Sequence, residues 1–148
     1  MMLMNDRNVF IEIEAVQVSI HCEIIKNLLA RHRSLSIVKT ATFSFAIKKL
    51  TLLQGSYYSA RNRTDLVLKY LSQISGCYDE FCRQLPYILQ SMDLLVKAGV
   101  CDVHETELIS KEPVDACTED YGAFTIAAIE ESKRYTDRQF WKEVLSVV

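Results

Sequence analysis

Hydrophobic residues near the beginning of the chain recur at helical spacing. Between Glu12 and Arg33 they follow one another at steps of three and four residues, at Ile13, Val16, Ile20, Ile24 and Leu28. This period predicts an amphipathic helix with one stripe facing a core. The basic residues at its end suit a helix C-terminus. Its first residue stays open, because residues 11, 13 and 15 also alternate as a strand would.

Two further helices are predicted before residue 77. Residues 34–50 place apolar positions along one side, and Ser34 or Ser36 can serve as the N-cap. Residues 54–63 are polar and without a period, which predicts a loop. A third helix then begins at a Thr64 cap, and Gly76 closes it.

A long helix and a β-hairpin come next. Residues 77–99 carry a helical stripe, and Pro86 lacks an amide proton, so we expect a turn over residues 77–83, a helix start near Pro86 and an end at Gly99. Residues 100–104 and 107–111 alternate as two short strands. Because Glu105 and Thr106 do not favour positive φ angles, we expect a loop longer than two residues between them.

The C-terminal part predicts two more helices. One covers residues 124–134, and the last begins at a capping box formed by Thr136 and Gln139. The predicted fold is therefore mainly α, with the whole chain (residues 1–148) as a single domain. That domain has a winged-helix-like core over about residues 12–112, one short β-hairpin, and a C-terminal helical extension over about residues 121–148.

Composition narrows the class of protein. The chain has 148 residues, of which 49% are hydrophobic, and only four glycines and two prolines, which disfavours a fold with many tight turns. The first residues do not resemble a secretory signal, and no apolar run approaches the roughly 18 residues of a membrane span. Five cysteines, an odd number, suit reduced thiols. We therefore expect a cytoplasmic protein that does not contact a membrane.

Charge is distributed unevenly along the chain. Residues 1–75 hold ten Lys and Arg against five Asp and Glu, whereas residues 76–148 hold seven against fourteen. A basic half indicates either a solvated face, a nucleic-acid contact or a partner surface. The predicted hairpin tip is acidic, which disfavours the usual docking of a winged helix on phosphate. The bases expected to contact DNA or a partner are Arg31, Arg33, Lys48, Lys49, Arg61 and Arg63.

Motifs for catalysis are missing from the sequence. It contains neither a G-x-S-x-G nucleophile elbow nor a glycine-rich phosphate loop, so we expect no enzyme, no catalytic residues and no cofactor. Four zinc-type ligands occur, at Cys77, Cys82, Cys101 and His104, but the first pair is loosely spaced and the second pair would point to opposite faces of a strand. No metal site is therefore predicted, although a small zinc-stabilised interaction domain stays open as a third possibility. For His32, in a basic helix end, a surface role is expected.

Several segments of the chain together resemble a known family. They are an apolar first helix, "LSIVKT", an Arg- and Asn-rich loop leading to "RTDLVLKYLS", "SMDLLVKAGV" before a short hairpin, and the tail "FTIAAIEESKRY". In this pattern, residues 9–145 resemble the middle components of bacterial three-component ABC systems, including the small subunit of Lamassu-type antiphage defence complexes.

The resemblance implies a non-enzymatic adaptor. Such a subunit links an SMC-like or ABC-type ATPase to an effector, often a nuclease, in an antiphage or anti-plasmid defence complex, and meets DNA through that complex. An apolar composition suits permanent interfaces, and oppositely charged halves suit two different partners. Met1, Met2, Met4 and Phe10 could form an exposed docking strip or fray in solvent. The alternative from another class is a winged-helix DNA-binding transcription regulator.

Overall fold

The computed structural model describes residues 2–52, 66–117, 119 and 121–148. These residues form a mainly α fold, as predicted, with a small antiparallel sheet. The helices are α1 (Met2–His32), α2 (Ile37–Leu52), α3 (Leu66–Ser72), α4 (Tyr78–Lys97), α5 (Ala123–Ser132) and α6 (Asp137–Val147). The strands are β1 (Ser34–Ser36), β2 (Cys101–His104) and β3 (Glu107–Ser110), and a short 3₁₀ turn covers Val114–Ala116. The Thr64 cap lies outside the described residues.

The helices α1, α2 and α4 pack against one another around an apolar core. Aromatic rings connect the layers: Phe45 of α2 meets Phe81 of α4 edge-on at 5.3 Å, and Phe43 lies 5.4 Å from Tyr70 of α3. Such ring pairs stabilise a core beyond the area that they bury. The largest fully buried side chains come from these three helices, from α3 and the turn after it, and from β1 and α6: Tyr70, Phe43, Phe45, Phe81, Phe140, Ile25, Leu28, Leu29, Leu35, Ile47, Leu71 and Ile74.

The sheet has the order β1-β3-β2, and both pairs are antiparallel. The sequence did not predict β1, because three residues carry no period; pairing with β3 holds them in place, with Leu35 opposite the buried Leu108. The expected longer hairpin loop was wrong. Glu105 and Thr106 form a two-residue loop in which Glu105 takes φ 57°, and the carbonyl of Thr106 accepts the amide of Ile37 at 2.8 Å.

The helix α4 also begins earlier than predicted. Its first residue is Tyr78, and Pro86 lies inside it, exposed. Loss of one backbone hydrogen bond at Pro86 is offset because Phe81, five residues earlier, is buried against Phe45 and Trp141. At the other end, Gly99 follows the helix with φ 77°, as predicted for a C-terminal stop.

The two C-terminal helices share the core of the other elements. In α5, Ala128 and Ile129 are buried, and α6 contributes Phe140, whose ring lies 5.7 Å from Phe43. The predicted capping box is confirmed. The Thr136 hydroxyl accepts the Gln139 amide at 3.1 Å, while the Gln139 side chain accepts the Thr136 amide at 2.9 Å.

Candidate interaction surfaces

Residues 8–16 of α1 are exposed on all sides. A helix of 31 residues is about 46 Å long, and every residue from Asn8 to Val16 is exposed. Burial begins near Val18. We call residues 8–20 the exposed α1 segment; within it, Gln17 is half-buried and Val18 is buried. The sequence predicts that the apolar stripe of α1 faces the core. This prediction is wrong for Ile13, Val16 and Ile20. Six large apolar side chains are exposed instead: Val9, Phe10, Ile11, Ile13, Val16 and Ile20.

Two apolar faces run along the exposed α1 segment. One face, which we call the outer stripe, consists of Val9, Ile13, Val16 and Ile20 at steps of four, three and four residues. The other lines a groove of about 490 Å³ between α1 and α4. The groove is lined by Ile11, Glu14, Ala15, Val18, Ser19, Cys22, Gln90 and Leu94. A helix that is apolar around most of its circumference is normally covered by other protein.

A second apolar depression lies on another side of the molecule. It measures about 220 Å³ and opens between α2, α4 and α6. Trp141 borders it together with Ile37, Val38, Ala41, Phe81, Leu85 and Leu89. Its size suits one large apolar side chain of a partner rather than a drug-sized ligand, for which pockets of 300 Å³ or more, roughly, are usual.

The structure separates the predicted basic residues into two groups. Arg31 and Arg33 are exposed at the end of α1. Lys48 instead lies beside Gln17 of α1. Gln17 precedes Arg31 by fourteen residues, a distance of about 21 Å along the helix. Arg61 and Arg63 lie outside the described residues.

The two lysines at the end of α2 already have partners inside the protein. Lys48 donates to the side-chain oxygens of Gln17 and Gln84, the latter at 2.8 Å, and burial lowers the pKa of its ammonium. Lys49 forms an ion pair with Glu80, and this hydrogen bond raises the pKa of Lys49. Neither lysine points freely at a ligand.

The hairpin presents acids to solvent. Glu105 and Glu107 are exposed at its tip, and Asp102 forms an ion pair with Lys111 at 3.0 Å. On α4, Asp93 is paired with Lys97 at 2.7 Å. Acidic groups at a hairpin tip repel the phosphate backbone of DNA.

A buried histidine connects α1, α2 and α4. The Nε2 of His21 donates to the Gln84 side-chain oxygen at 3.0 Å, so its Nδ1 accepts the Ser44 hydroxyl at 2.7 Å. Burial lowers the pKa of His21, and the nearby Lys48 lowers it further against the opposing effect of the Gln84 hydrogen bond. Both nitrogens of the neutral ring are therefore satisfied, and His21 acts as a structural link between the three helices.

The surface role expected for His32 was wrong. Its ring is buried, and Nδ1 donates to Glu130 of α5 at 2.7 Å. Burial lowers the pKa of His32 more than Glu130 raises it. Lys133 donates to the His32 carbonyl at 2.8 Å, which joins α5 to the end of α1.

The candidate zinc ligands are not gathered into one cluster. Cys101 is buried, while His104 and Cys82 are exposed. Among the described residues, no group of three or more His, Cys, Asp or Glu side chains is arranged to hold a metal ion. All five cysteines are free thiols.

Comparisons with known proteins give no match. The chain matches no protein-family profile, no curated protein and no solved structure. Within the described part of the chain, no helix combines the length and hydrophobicity that a bilayer crossing requires.

Proposed function

We propose that the protein is a non-enzymatic adaptor subunit. It links an SMC-like or ABC-type ATPase to an effector such as a nuclease, in a cytoplasmic antiphage or anti-plasmid defence complex of a prokaryote. The observation that carries the adaptor role is the exposed α1 segment, where Phe10 is 67% and Val16 is 55% exposed. The classes of partner come from the family resemblance of the sequence, and the free thiols support a reducing compartment.

Docking of the ATPase is assigned to the groove between α1 and α4. This groove is apolar along Ile11, Val18 and Leu94, and Glu14 contributes an acid to its lining. An amphipathic helix fits such a groove through apolar residues at steps of three and four. Basic residues flanking those anchors would complement Glu14 and so orient the partner.

An affinity purification from native cells tests the adaptor function. The bait is the full chain, at moderate salt with nuclease added, and the readout is mass spectrometry. We expect a coiled-coil ATPase together with an effector-like protein. Ile11→Glu should abolish recovery of the ATPase, whereas Leu145→Glu, an exposed position on α6, should not. Recovery of the chain without either partner, as a monomer or a homodimer, contradicts the adaptor function.

A winged-helix DNA-binding transcription regulator is the second candidate. The observation that favours it is the order of elements, in which α4 runs directly into the hairpin of a sheet ordered β1-β3-β2. The exposed Glu105 and Glu107 at the hairpin tip oppose it. Fluorescence anisotropy with labelled duplexes separates the two candidates. Tight, sequence-selective binding would favour the regulator, while the adaptor predicts at most weak binding that salt abolishes.

A further inference from the structure

We propose that a pH-sensitive latch holds the exposed α1 segment against α2; it consists of His21, Gln84, Lys48 and Gln17. Protonation of His21 displaces Lys48, and the departure of Lys48 releases Gln17. The latch goes beyond the proposed adaptor function, because it concerns how α1 is held rather than what binds to it. Counting from Asn8, Gln17 is the first described residue whose side chain is hydrogen-bonded to another helix, and its partner there is Lys48.

One amide oxygen joins the histidine to the lysine. Oε1 of Gln84 accepts His21 Nε2 at 3.0 Å and the Lys48 ammonium at 2.8 Å. An amide oxygen has two lone pairs, so it satisfies both donors while the ring is neutral. The ring nitrogen and the ammonium therefore lie within about 6 Å of each other, a range in which like charges oppose each other's ionisation. Protonation of His21 places a second positive charge beside the same oxygen.

Lys48 is the group that moves when the ring is protonated. The charged ring keeps its bond to Gln84, and Nδ1 keeps Ser44, because a hydroxyl that donates can turn and accept instead. His21 and Ser44 are fully buried, whereas Lys48 is half-buried and carries its charge on a flexible side chain. When Lys48 leaves, its other hydrogen bond, to Gln17, is lost with it.

The charged groups around the ring favour this direction of movement. Burial lowers the pKa of His21, the Gln84 hydrogen bond raises it, and Lys48 of α2 lowers it again. On α4, Glu80 opposes the effect of burial on the pKa of Lys48 and forms an ion pair with the adjacent Lys49. Glu80 therefore offers Lys48 a favourable position outside the latch.

The rest of α1 stays in place when the latch opens. The carbonyl of Val18 accepts the hydroxyl of Ser91 on α4 at 2.9 Å, and neither group titrates. From Ile24 onwards, α1 contributes apolar side chains to the core. Opening therefore loosens residues 8–17 and leaves the packed helices unchanged, as a local transition below the free energy of global unfolding does.

Nuclear magnetic resonance of the isotope-labelled full chain, titrated from pH 8 to pH 5, tests the latch. The ring signals of His21, the side-chain amide of Gln17 and the heteronuclear NOE of residues 8–16 should change with one common midpoint. The indole signal of Trp141 should remain that of the folded protein through this transition. Gln17 signals that do not follow His21, or a change of Trp141 at the same midpoint, would overturn the inference.

Lys48→Met tests whether the lysine is coupled to the ring. Loss of the ammonium should raise the midpoint of His21, because a positive charge beside the ring is removed, and Gln17 should be free at every pH. Lys97→Met is the matched control. It removes the same charge from α4 at a position thirteen residues, or about 20 Å, beyond Gln84, and should leave the midpoint of His21 unchanged.

The variants and the wild type decide the question independently. An unchanged His21 midpoint in Lys48→Met, or an equal rise in both lysine variants, contradicts the coupling. Circular dichroism at pH 8 shows whether each variant is folded. Should Lys48→Met fail to fold, the common midpoint of His21 and Gln17 in the wild type still supports or overturns the latch.

Discussion

Acidification should destabilise this protein through its two buried histidines. The chain has three histidines, of which His21 and His32 are buried and His104 is exposed. Burial lowers the pKa of both buried rings below the ordinary value of 6.5. The unfolded chain therefore binds more protons than the folded one below pH 6.5. The stabilisation is complete above that pH and is lost as the pH falls towards the folded-state pKa values.

The size of this effect follows from the number of protons. One proton of difference changes the free energy of unfolding by about 1.4 kcal/mol per pH unit. With two histidines, the slope below pH 6.5 should reach at most about 2.7 kcal/mol per pH unit. Glu130 has a lowered pKa, because His32 and Lys133 together outweigh its burial, so its own contribution is lost only below its ordinary value of 4.5. The two effects therefore occupy different pH ranges.

Urea denaturation followed by circular dichroism at several pH values measures this slope. His21→Gln should reduce it by up to about 1.4 kcal/mol per pH unit, besides lowering stability at neutral pH because the links to Ser44 and Gln84 change. His104→Gln, at an exposed position, is the control and should leave the slope unchanged. A slope in His21→Gln equal to that of the wild type would refute the assignment of a neutral, buried His21.

Three further predictions concern stability and are read by the same denaturation assay. Phe140→Ala should lower the free energy of unfolding by about 3–5 kcal/mol, because the Phe140 ring is fully buried. Leu145→Ala on the same helix should lower it by well under half of that amount. Equal effects of the two variants would contradict a structural role for α6. Gly99→Ala should cost about 1–2 kcal/mol, since φ is 77° and the added methyl group meets no atom within 4 Å; an unchanged stability would contradict the positive φ. Thr136→Ala should cost about 1 kcal/mol through loss of the capping box, and Thr136→Ser should retain most of that energy; equal losses in both variants would rule out the hydroxyl cap.

Tertiary contacts explain where prediction from the sequence failed in the fold. The three-residue β1 has no period of its own and exists because β3 pairs with it. The two-residue hairpin loop accepts a hydrogen bond from the amide of Ile37, more than sixty residues away along the chain. Similarly, Pro86 predicts a helix start when taken alone, but burial of Phe81 extends α4 beyond it.

Prediction of the candidate surfaces from the sequence failed for the same reason. An apolar stripe at Ile13, Val16, Ile20, Ile24 and Leu28 predicts that one side of α1 is covered, without saying by what. In the structure, Ile24 and Leu28 are covered by the protein itself, whereas the other three are exposed. Periodicity contains no information about how far the packed bundle extends along a helix, so this division could not be predicted.

Local signals were sufficient for three features whose residues are close in sequence. The capping box of α6, the glycine that ends α4 and the amphipathic stripe of α4 each depend on residues within a few turns of one another, and the sequence by itself determined them. The tertiary structure alone decided the separation of Arg31 from Lys48, the burial of His32 and the exposure of the outer stripe of α1. The physical reason is that burial and charge pairing depend on which elements meet in space, and that meeting is set by the packing of the whole core.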